Sequence, residues 1–565
     1  MKKVIAILLA LIIVVGITAC KSSDTPATAN TNDTSSENTN NTNDAALEND
    51  RNLAKQITQY ALDYSAQTQR DIKDNAVSSK DTLVFAAIAD PGQISLDRLF
   101  DMTTYPFATA CVEYFIRWDF AEAKFYSPVC DSFEVDADEL GVTFHITPGI
   151  KMHDGETFTA EDLVASIEAQ RMHSGLGWQL DFVDLENSNI IDEYNIDIRF
   201  NTINGVWESS FAMFTVISGK AFYDMGGDIA FYQAPVSPSA YIVSDWVPGD
   251  HVTISAFEDY YRGAPPIKTI TMKIVSDATT AFMELQNGDI DFLWNLSADQ
   301  VKTVYSNKDD NLELLLTNSN IVNYLGMNSA NEALSDFRVR QAIYMAVNRD
   351  DILIGAFDGL AYQINSIMTP GAIGYNTSYD SNSPFPATDI EKAKELLKEA
   401  GYGDGLTLRI LAESTINFQL VTEQLASMLD KIGITLVPEL TDYATQNAKL
   451  YSGDVTGYDL YLSFSQACDE SVATLDNPML FGLTHPELSS DGSAAGLQKI
   501  WDEIRVTPDI TKRAQLYKDA QAYFFENGLY WLPLNETQSY VGVNKDLTGF
   551  RLNGSLIYFE DVYWK

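Results

Sequence analysis

Histidine is scarce in this chain: 5 residues in 565, at positions 145, 153, 173, 251 and 485, and none stands at a metal-ligand spacing. Cysteine is rarer still, at 4 residues, and its spacing suits no metal site. Basic charge is also deficient. The 37 Lys and Arg against 79 Asp and Glu leave a formal net charge of -42. Nucleic acid and anionic lipid would both repel such a surface, so a nucleic-acid partner is excluded and any membrane attachment must be covalent or spanning. Beyond the first twenty residues no second long apolar run occurs. A Gly-x-Ser-x-Gly elbow and a phosphate-binding loop are missing as well, and the acids are too abundant to single out a glycosidase pair. These absences argue against an enzyme and call for no cofactor and no metal.

Apolar and aromatic residues are plentiful, at 45% and 11%, so the chain folds, and its length calls for two or three packed lobes. At the amino terminus, Lys2-Lys3, an apolar run over residues 4–15, and Ile17-Thr18-Ala19-Cys20 resemble a bacterial lipoprotein signal. Cys20 is then the acylated first residue of the mature protein, and two acyl chains suffice for stable anchoring. Residues 21–43 are nearly all Ser, Thr, Asn, Asp and Ala, a composition that cannot offset chain entropy and so predicts a tether reaching about 25–30 Å. Leu53, Ile57, Tyr60, Ala61 and Tyr64 recur at helical spacing, which predicts a helix over residues 45–71 that either packs on the body or stands as a stalk.

The most patterned stretch is 142–170. Phe144 and Ile146, then Ile150 and Met152, alternate with polar neighbours as two half-buried strands, with Pro148-Gly149 and Asp154-Gly155 as turns. Thr159 is placed to cap the helix that follows, its hydroxyl accepting from the first turn, and Glu161 and Asp162 suit the positive end of the dipole. His153 braces the Asp-Gly turn. Further along, residues 406–411, 418–432 and 434–440 read as strand, helix, strand, a βαβ unit and hence a parallel sheet.

The order Lys151-Met152-His153-Asp154-Gly155-Glu156 followed by Phe158-Thr159-Ala160-Glu161-Asp162 resembles a signature of the family-5 extracellular solute-binding proteins, the oligopeptide, dipeptide and nickel type receptors of ABC importers. Other stretches resemble the same family: Ser95-Leu96-Asp97, residues 127–135, Tyr241 with Trp246-Val247-Pro248-Gly249, residues 282–291, Asp336-Phe337-Arg338-Val339-Arg340-Gln341-Ala342, and Trp531 with its neighbours. Up to position 241 the family usually has Gly-Thr-Gly-Pro-Tyr, so Ser239-Ala240 depart from it while Tyr241 is kept. Arg338 and Arg340 read as structural, solvated or ion-paired arginines. In the alignment Cys130 takes the place of a buried Ala, which favours a free thiol over the disulfide that export would allow it to form with Cys111.

The resemblance implies an α/β fold of two lobes, the type II, cluster C arrangement of periplasmic binding proteins, with an extra subdomain on the first lobe. Its expected divisions are a signal over 1–20, tether and helix over 21–80, lobe I over 81–102 with its extra subdomain at 103–205 and a second segment at 206–325, lobe II over 326–530, and a return to lobe I over 531–565. The implied protein is a monomeric, lipid-anchored receptor on the extracytoplasmic face. It captures peptide or another small solute and delivers it to an ABC permease with its ATPases; an oligosaccharide or a nickel chelate is the alternative solute, and a surface sensor or adhesin the alternative role. Peptide receptors of the family hold the ligand amine with an Asp in an aromatic-x-Ala-Asp-Tyr stretch, and Phe464-Ser465-Gln466-Ala467-Cys468-Asp469 is the matching segment here, with Glu470 next to it. Asp469 is then expected to face Asp90-Pro91-Gly92-Gln93, whose extended backbone pairs with a peptide, while Trp294 and Phe464 supply apolar walls.

Overall fold

In the computed structural model, the described residues are 37–91, 94, 105–119, 124–173, 177–212, 214–307, 311–370, 372–450, 456–466, 493–553 and 556–565. Helix α1 is Glu37–Arg70. Its residues Ala54, Ile57, Ala61, Ser65 and Thr68 are buried at intervals of three and four, so one stripe faces the protein. The helix therefore packs on the body, which decides the alternative left open by the periodicity.

One sheet of eleven strands runs through both lobes. Strand β1 (Thr82–Ala87) opens it. A separate four-stranded sheet is built from β2 (Cys130–Val135), β3 (Gly141–Ile146), β4 (Val183–Asp192) and β5 (Asn195–Phe200), in the order β2-β3-β5-β4. It is covered by α2 (Ala160–His173) and encloses the buried cluster from Phe115 to Val216. The chain then returns to the large sheet with β6 (Tyr241–Val247), β7 (His251–Ala256) and β8 (Thr269–Ile274). Next come α3 (Ala278–Asn287), ended by Gly288 in the left-handed region at φ 79°, β9 (Phe292–Leu293), and α4 (Ala298–Ser306). Strand β10 (Leu312–Met327) crosses from lobe I to lobe II. Lobe II holds α5 (Arg349–Phe357), β11 (Ala361–Tyr362), β12 (Leu406–Glu413), α6 (Ile416–Asp430), β13 (Ile434–Thr441), β14 (Leu460–Gln466) and α7 (Ile510–Tyr523). Strand β15 (Trp531–Asn544) crosses back. The order in the large sheet is β6-β7-β8-β1-β9-β15-β10-β14-β12-β13, with β11 added on β15.

Side-chain alternation splits the lobe I part of this sheet into two faces. Phe85, Phe292, Trp294, Leu315, Val541 and Val543 lie in one buried cluster, while Ala86, Leu293, Leu314, Leu316 and Tyr540 lie in another, under α1, α3 and α4. Lobe II is filled by a third cluster that includes Leu408, Ile410, Val421, Leu425 and Leu460. The βαβ unit is present with β12 and β13 parallel in register from Leu406 opposite Ile434 to Glu413 opposite Thr441.

Several local expectations are corrected. The 150–152 segment is not a strand: it makes a single bridge, Lys151 to Thr157, because β3 already has β2 and β5 on its two edges. The α2 cap works in reverse. The Asp162 carboxylate accepts from both the backbone N–H and the hydroxyl of Thr159 at 2.9 Å, and also from Gly219 N–H at 2.9 Å. His153 braces the 235–239 segment instead of its own turn, with Nε2 3.0 Å from the Ser239 carbonyl and Nδ1 3.3 Å from that of Pro235. Burial holds its pKa below the ordinary histidine value. Cys111 and Cys130 are free and buried, and burial, helped by the nearby Asp131 carboxylate, pushes the Cys130 thiol up to about 12. Arg338 pairs with Asp336 at 2.6 Å, whereas Arg340 is fully buried and donates to the carbonyls of Leu334, Ser335, Asn527 and Gly528.

Candidate functional site

Strand direction places the site. In lobe I, β8, β1 and β9 run parallel, and β9 is antiparallel to β15 with Leu293 opposite Gly542. Their carboxyl ends therefore point toward the middle of β15. In lobe II, β12 is parallel to β13 and β14, and β14 is antiparallel to β10 with Gln466 opposite Ile321. Those carboxyl ends point toward the middle of β10. Ligand crevices in open α/β sheets form outside the carboxyl ends of the strands, and here two such edges face one waist formed by the crossing strands.

The waist is polar where a sheet interior is ordinarily apolar. Thr317 pairs with Ser539 and Asn323 with Asn535, and the register breaks between Asn318 and Val322. Thr317 is 2%, Asn323 6%, Asn535 0%, Glu536 1% and Ser539 6% exposed. Asn323 Nδ2 donates to Thr537 Oγ1 at 3.1 Å and to Asn535 Oδ1 at 3.5 Å, and Ser539 Oγ donates to Asn295 Oδ1 at 2.6 Å. Thr317 Oγ1, Asn535 Nδ2 and Trp294 Nε1 are buried at the waist and have no hydrogen-bond partner among the described residues. Alternation puts Thr317, Ser539 and Trp294 on the same face of the sheet. A buried polar atom left unpaired costs about 1–3 kcal/mol, so three within one waist make it the candidate site, where the donors and acceptors of a solute or of water would complete the bonding.

Of the expected site residues, Asp90, Trp294 and Phe464 lie in the described part of the chain. Asp90 lies just beyond β1, at the crevice edge, but its carboxylate accepts from Gly249 N–H at 2.8 Å and Trp246 Nε1 at 3.5 Å, so the side chain braces the β6–β7 turn. Trp294 lies just beyond β9 and is 7% exposed. It presents a buried indole N–H rather than an open apolar wall. Phe464, near the end of β14, is half-buried and stacks on Tyr443, centroids 5.7 Å apart and rings 13° from parallel. Gly92, Gln93, Asp469 and Cys20 lie outside the described residues. The geometry adds residues that sequence reasoning missed: Thr317, Asn323, Asn535, Glu536, Ser539, Asn295, and Glu413 at the end of β12, whose carboxyl is pushed up by desolvation. The polar runs 317–320 and 535–539 inside otherwise apolar strands were the available signal. Among the described residues no cluster of His, Cys, Asp and Glu is placed to hold a metal, and no helix is long and apolar enough to cross a membrane.

Comparison with known proteins agrees with this architecture. The profile of the bacterial extracellular solute-binding proteins, family 5, matches residues 124–466. The glutathione-binding protein GsiB of Pectobacterium atrosepticum is 28% identical over 454 residues, covering 78% of this chain and 86% of its own length. Its namesake from Escherichia coli is 27% identical over 444 residues, covering 76% and 84%. Among solved structures, the ABC transporter substrate-binding protein CtaP of Listeria monocytogenes superposes with a TM-score of 0.73 at 20% identity, over 86% of this chain and 99% of that one. The periplasmic binding protein DppA of Helicobacter pylori, in complex with the peptide STSA, gives 0.67 at 19% identity over 86% and 98%. The two-lobed fold is therefore that of periplasmic binding proteins, and the profile match over most of the chain establishes that this protein belongs to the bacterial extracellular solute-binding proteins of family 5.

Proposed function

We propose that this chain is the lipid-anchored receptor of an ABC importer and that it captures short peptides in the crevice between its lobes for delivery to a membrane permease. The observation that carries the reading is the waist: buried Thr317, Asn535 and Trp294 hold unpaired polar atoms where the carboxyl ends of both lobes' parallel strands converge. A peptide offers an amide donor and acceptor at every residue, which matches a site rich in hydroxyl, carboxamide and indole groups. The relatives named glutathione-binding take a tripeptide, which supports a short-peptide class. In this reading lobe I comprises 81–325 with 531–565, lobe II comprises 326–530, and Asp469 is the acid that holds the ligand's amine. Cys20 carries the lipid, and the protein works as a monomer.

Native mass spectrometry of the purified mature protein against glutathione, di- to pentapeptides, oligosaccharides and nickel chelates tests the proposal. Retention of glutathione or short peptides is the expected result. Retention of an oligosaccharide or a nickel chelate, with every peptide lost, overturns it.

A further inference from the structure

Helix α1 precedes the stretch matched by the family profile, which begins at residue 124, yet it is tied tightly to lobe I. Thr58 Oγ1 is 2.8 Å from Tyr540 OH, and Tyr64 OH donates to the Leu547 carbonyl at 2.8 Å. Ser65 Oγ accepts from Leu316 N–H at 2.8 Å and donates to the Leu316 carbonyl at 3.3 Å. Thr68 Oγ1 accepts from Phe550 N–H at 3.0 Å. The helix is also joined to α4, for Tyr305 OH donates to Gln56 Oε1 at 3.3 Å and the Tyr60 and Tyr305 rings meet edge to face at 5.5 Å. Together α1 and α4 make the two walls of a groove on lobe I.

A piece of lobe II sits in that groove. The turn Asp358, Gly359, Leu360 ends α5, with Asp358 at φ 54° and Gly359 at φ 73°. Lys302 of α4 binds Asp358 at 2.6 Å from one wall. From the other wall, Ala54 of α1 approaches so closely that a Cβ on Gly359 would lie 2.8 Å from that of Ala54, which leaves room for glycine only. Leu360 is 7% exposed and belongs to the same buried cluster as Ala54, Ile57, Val301 and Val304. One turn earlier on α1, Arg51 reaches Asp351 of α5 at 3.5 Å with both side chains partly exposed. The seated turn leads directly into β11, which pairs with Glu536 and Thr537 in the middle of the crossing strand β15. It therefore lies beside the pivot about which the lobes would rotate.

We infer that α1 and α4 form a clasp on lobe I that grips the Asp358–Gly359–Leu360 turn of lobe II and sets the resting angle between the lobes. The helix linking the amino terminus to the body thereby regulates the crevice. The character of the contacts gives the direction: α1 is hydrogen-bonded at several points to lobe I, whereas against the lobe II turn it offers the apolar packing of Ala54 and Ile57 and a partly exposed ion pair. It stays with lobe I when the lobes move, and the grip on the turn is what yields. The inference rests on the capture reading above only in that it assumes the lobes can rotate.

The test uses the full mature chain without solute. Ala54→Trp fills the seat, and Lys302→Ala removes the partly exposed ion pair from the opposite wall should the first variant fold poorly. Hydrogen exchange of residues 354–362 is expected to speed up about tenfold or more in Ala54→Trp, and the radius of gyration from small-angle scattering to differ from that of the wild type. Unchanged exchange overturns the inference, and so does faster exchange with superimposable scattering curves, since the turn would then be held locally without setting the lobes. Wild-type scattering with and without saturating glutathione separates the two ideas: no compaction there counts against solute-driven closure and leaves the clasp to be judged on the solute-free comparison.

Discussion

The hydroxyl of Thr317 distinguishes a binding group from a structural one. It is buried, unpartnered among the described residues, and opposite Ser539 at the waist. Thr317→Val keeps the shape and removes the polar atom. The expected outcome is an unchanged or raised thermal midpoint together with a fivefold to tenfold loss of short-peptide affinity by calorimetry, about 1 kcal/mol. A loss of stability with unchanged affinity would make the group structural. His153 gives a second prediction. Burial depresses its pKa, so the neutral ring contributes stability above the unfolded value, and that contribution is lost as pH falls below about 6.5 toward the folded value. Urea midpoints of the wild type should fall as the pH is lowered below about 6.5, and His153→Gln should flatten that slope. An identical slope in the variant rejects the assignment.

Elements are held in place by buried arginines as much as by apolar contacts. Arg340 sits in the helix Phe337–Ala346, is fully buried, and stacks over Tyr530 at 4.2 Å while donating to carbonyls at 527 and 528, so it fastens that helix to the segment entering β15. Lysine cannot reproduce the planar fork. Arg340→Lys is expected to lower unfolding free energy by about 2–4 kcal/mol with unchanged denaturant slope. A change under 0.5 kcal/mol would show that the carbonyls find other donors. Arg513 of α7 does comparable work, donating to Thr507, Pro508 and Gly205 carbonyls and pairing with Glu208 at 3.2 Å. Desolvation pushes the Glu208 carboxyl up, against the pull of Arg513.

For the whole molecule, the two crossing strands β10 and β15 are the connections that matter to motion, since the polar waist and the register break lie on them. A solute that bonds to both lobes favours the closed arrangement by its differential affinity for it. Small-angle scattering should show a smaller radius of gyration with a saturating tight peptide than without, and an unchanged radius rules out a trap. Anchoring is tested separately. Cys20→Ala should leave the precursor unprocessed and unlipidated; normal processing and membrane retention in that variant would remove Cys20 as the anchor.

What the sequence determined by itself was whatever depends on residues near one another in the chain. The βαβ unit at 406–441 follows from apolar period and a glycine at 433, the helix expected over 45–71 from spacings of three and four, although it begins at Glu37 within the expected tether, and the family from ordered motifs such as those at 151–162 and 336–342. Trp294 and Asp90 were expected at the crevice from the family resemblance, but their side chains are a buried donor and a turn brace. Only the tertiary structure decided the waist. Thr317 meets Ser539, and Asn323 meets Asn535, across more than two hundred residues, and no local pattern carries that register. It likewise decided that Thr159 donates to Asp162, that His153 serves a distant segment, and that α1 lies on the body with Ala54 against Gly359. Burial and hydrogen-bond partnership are properties of surfaces brought together by the whole fold, so a side chain's chemistry can be read from the sequence while its neighbours cannot.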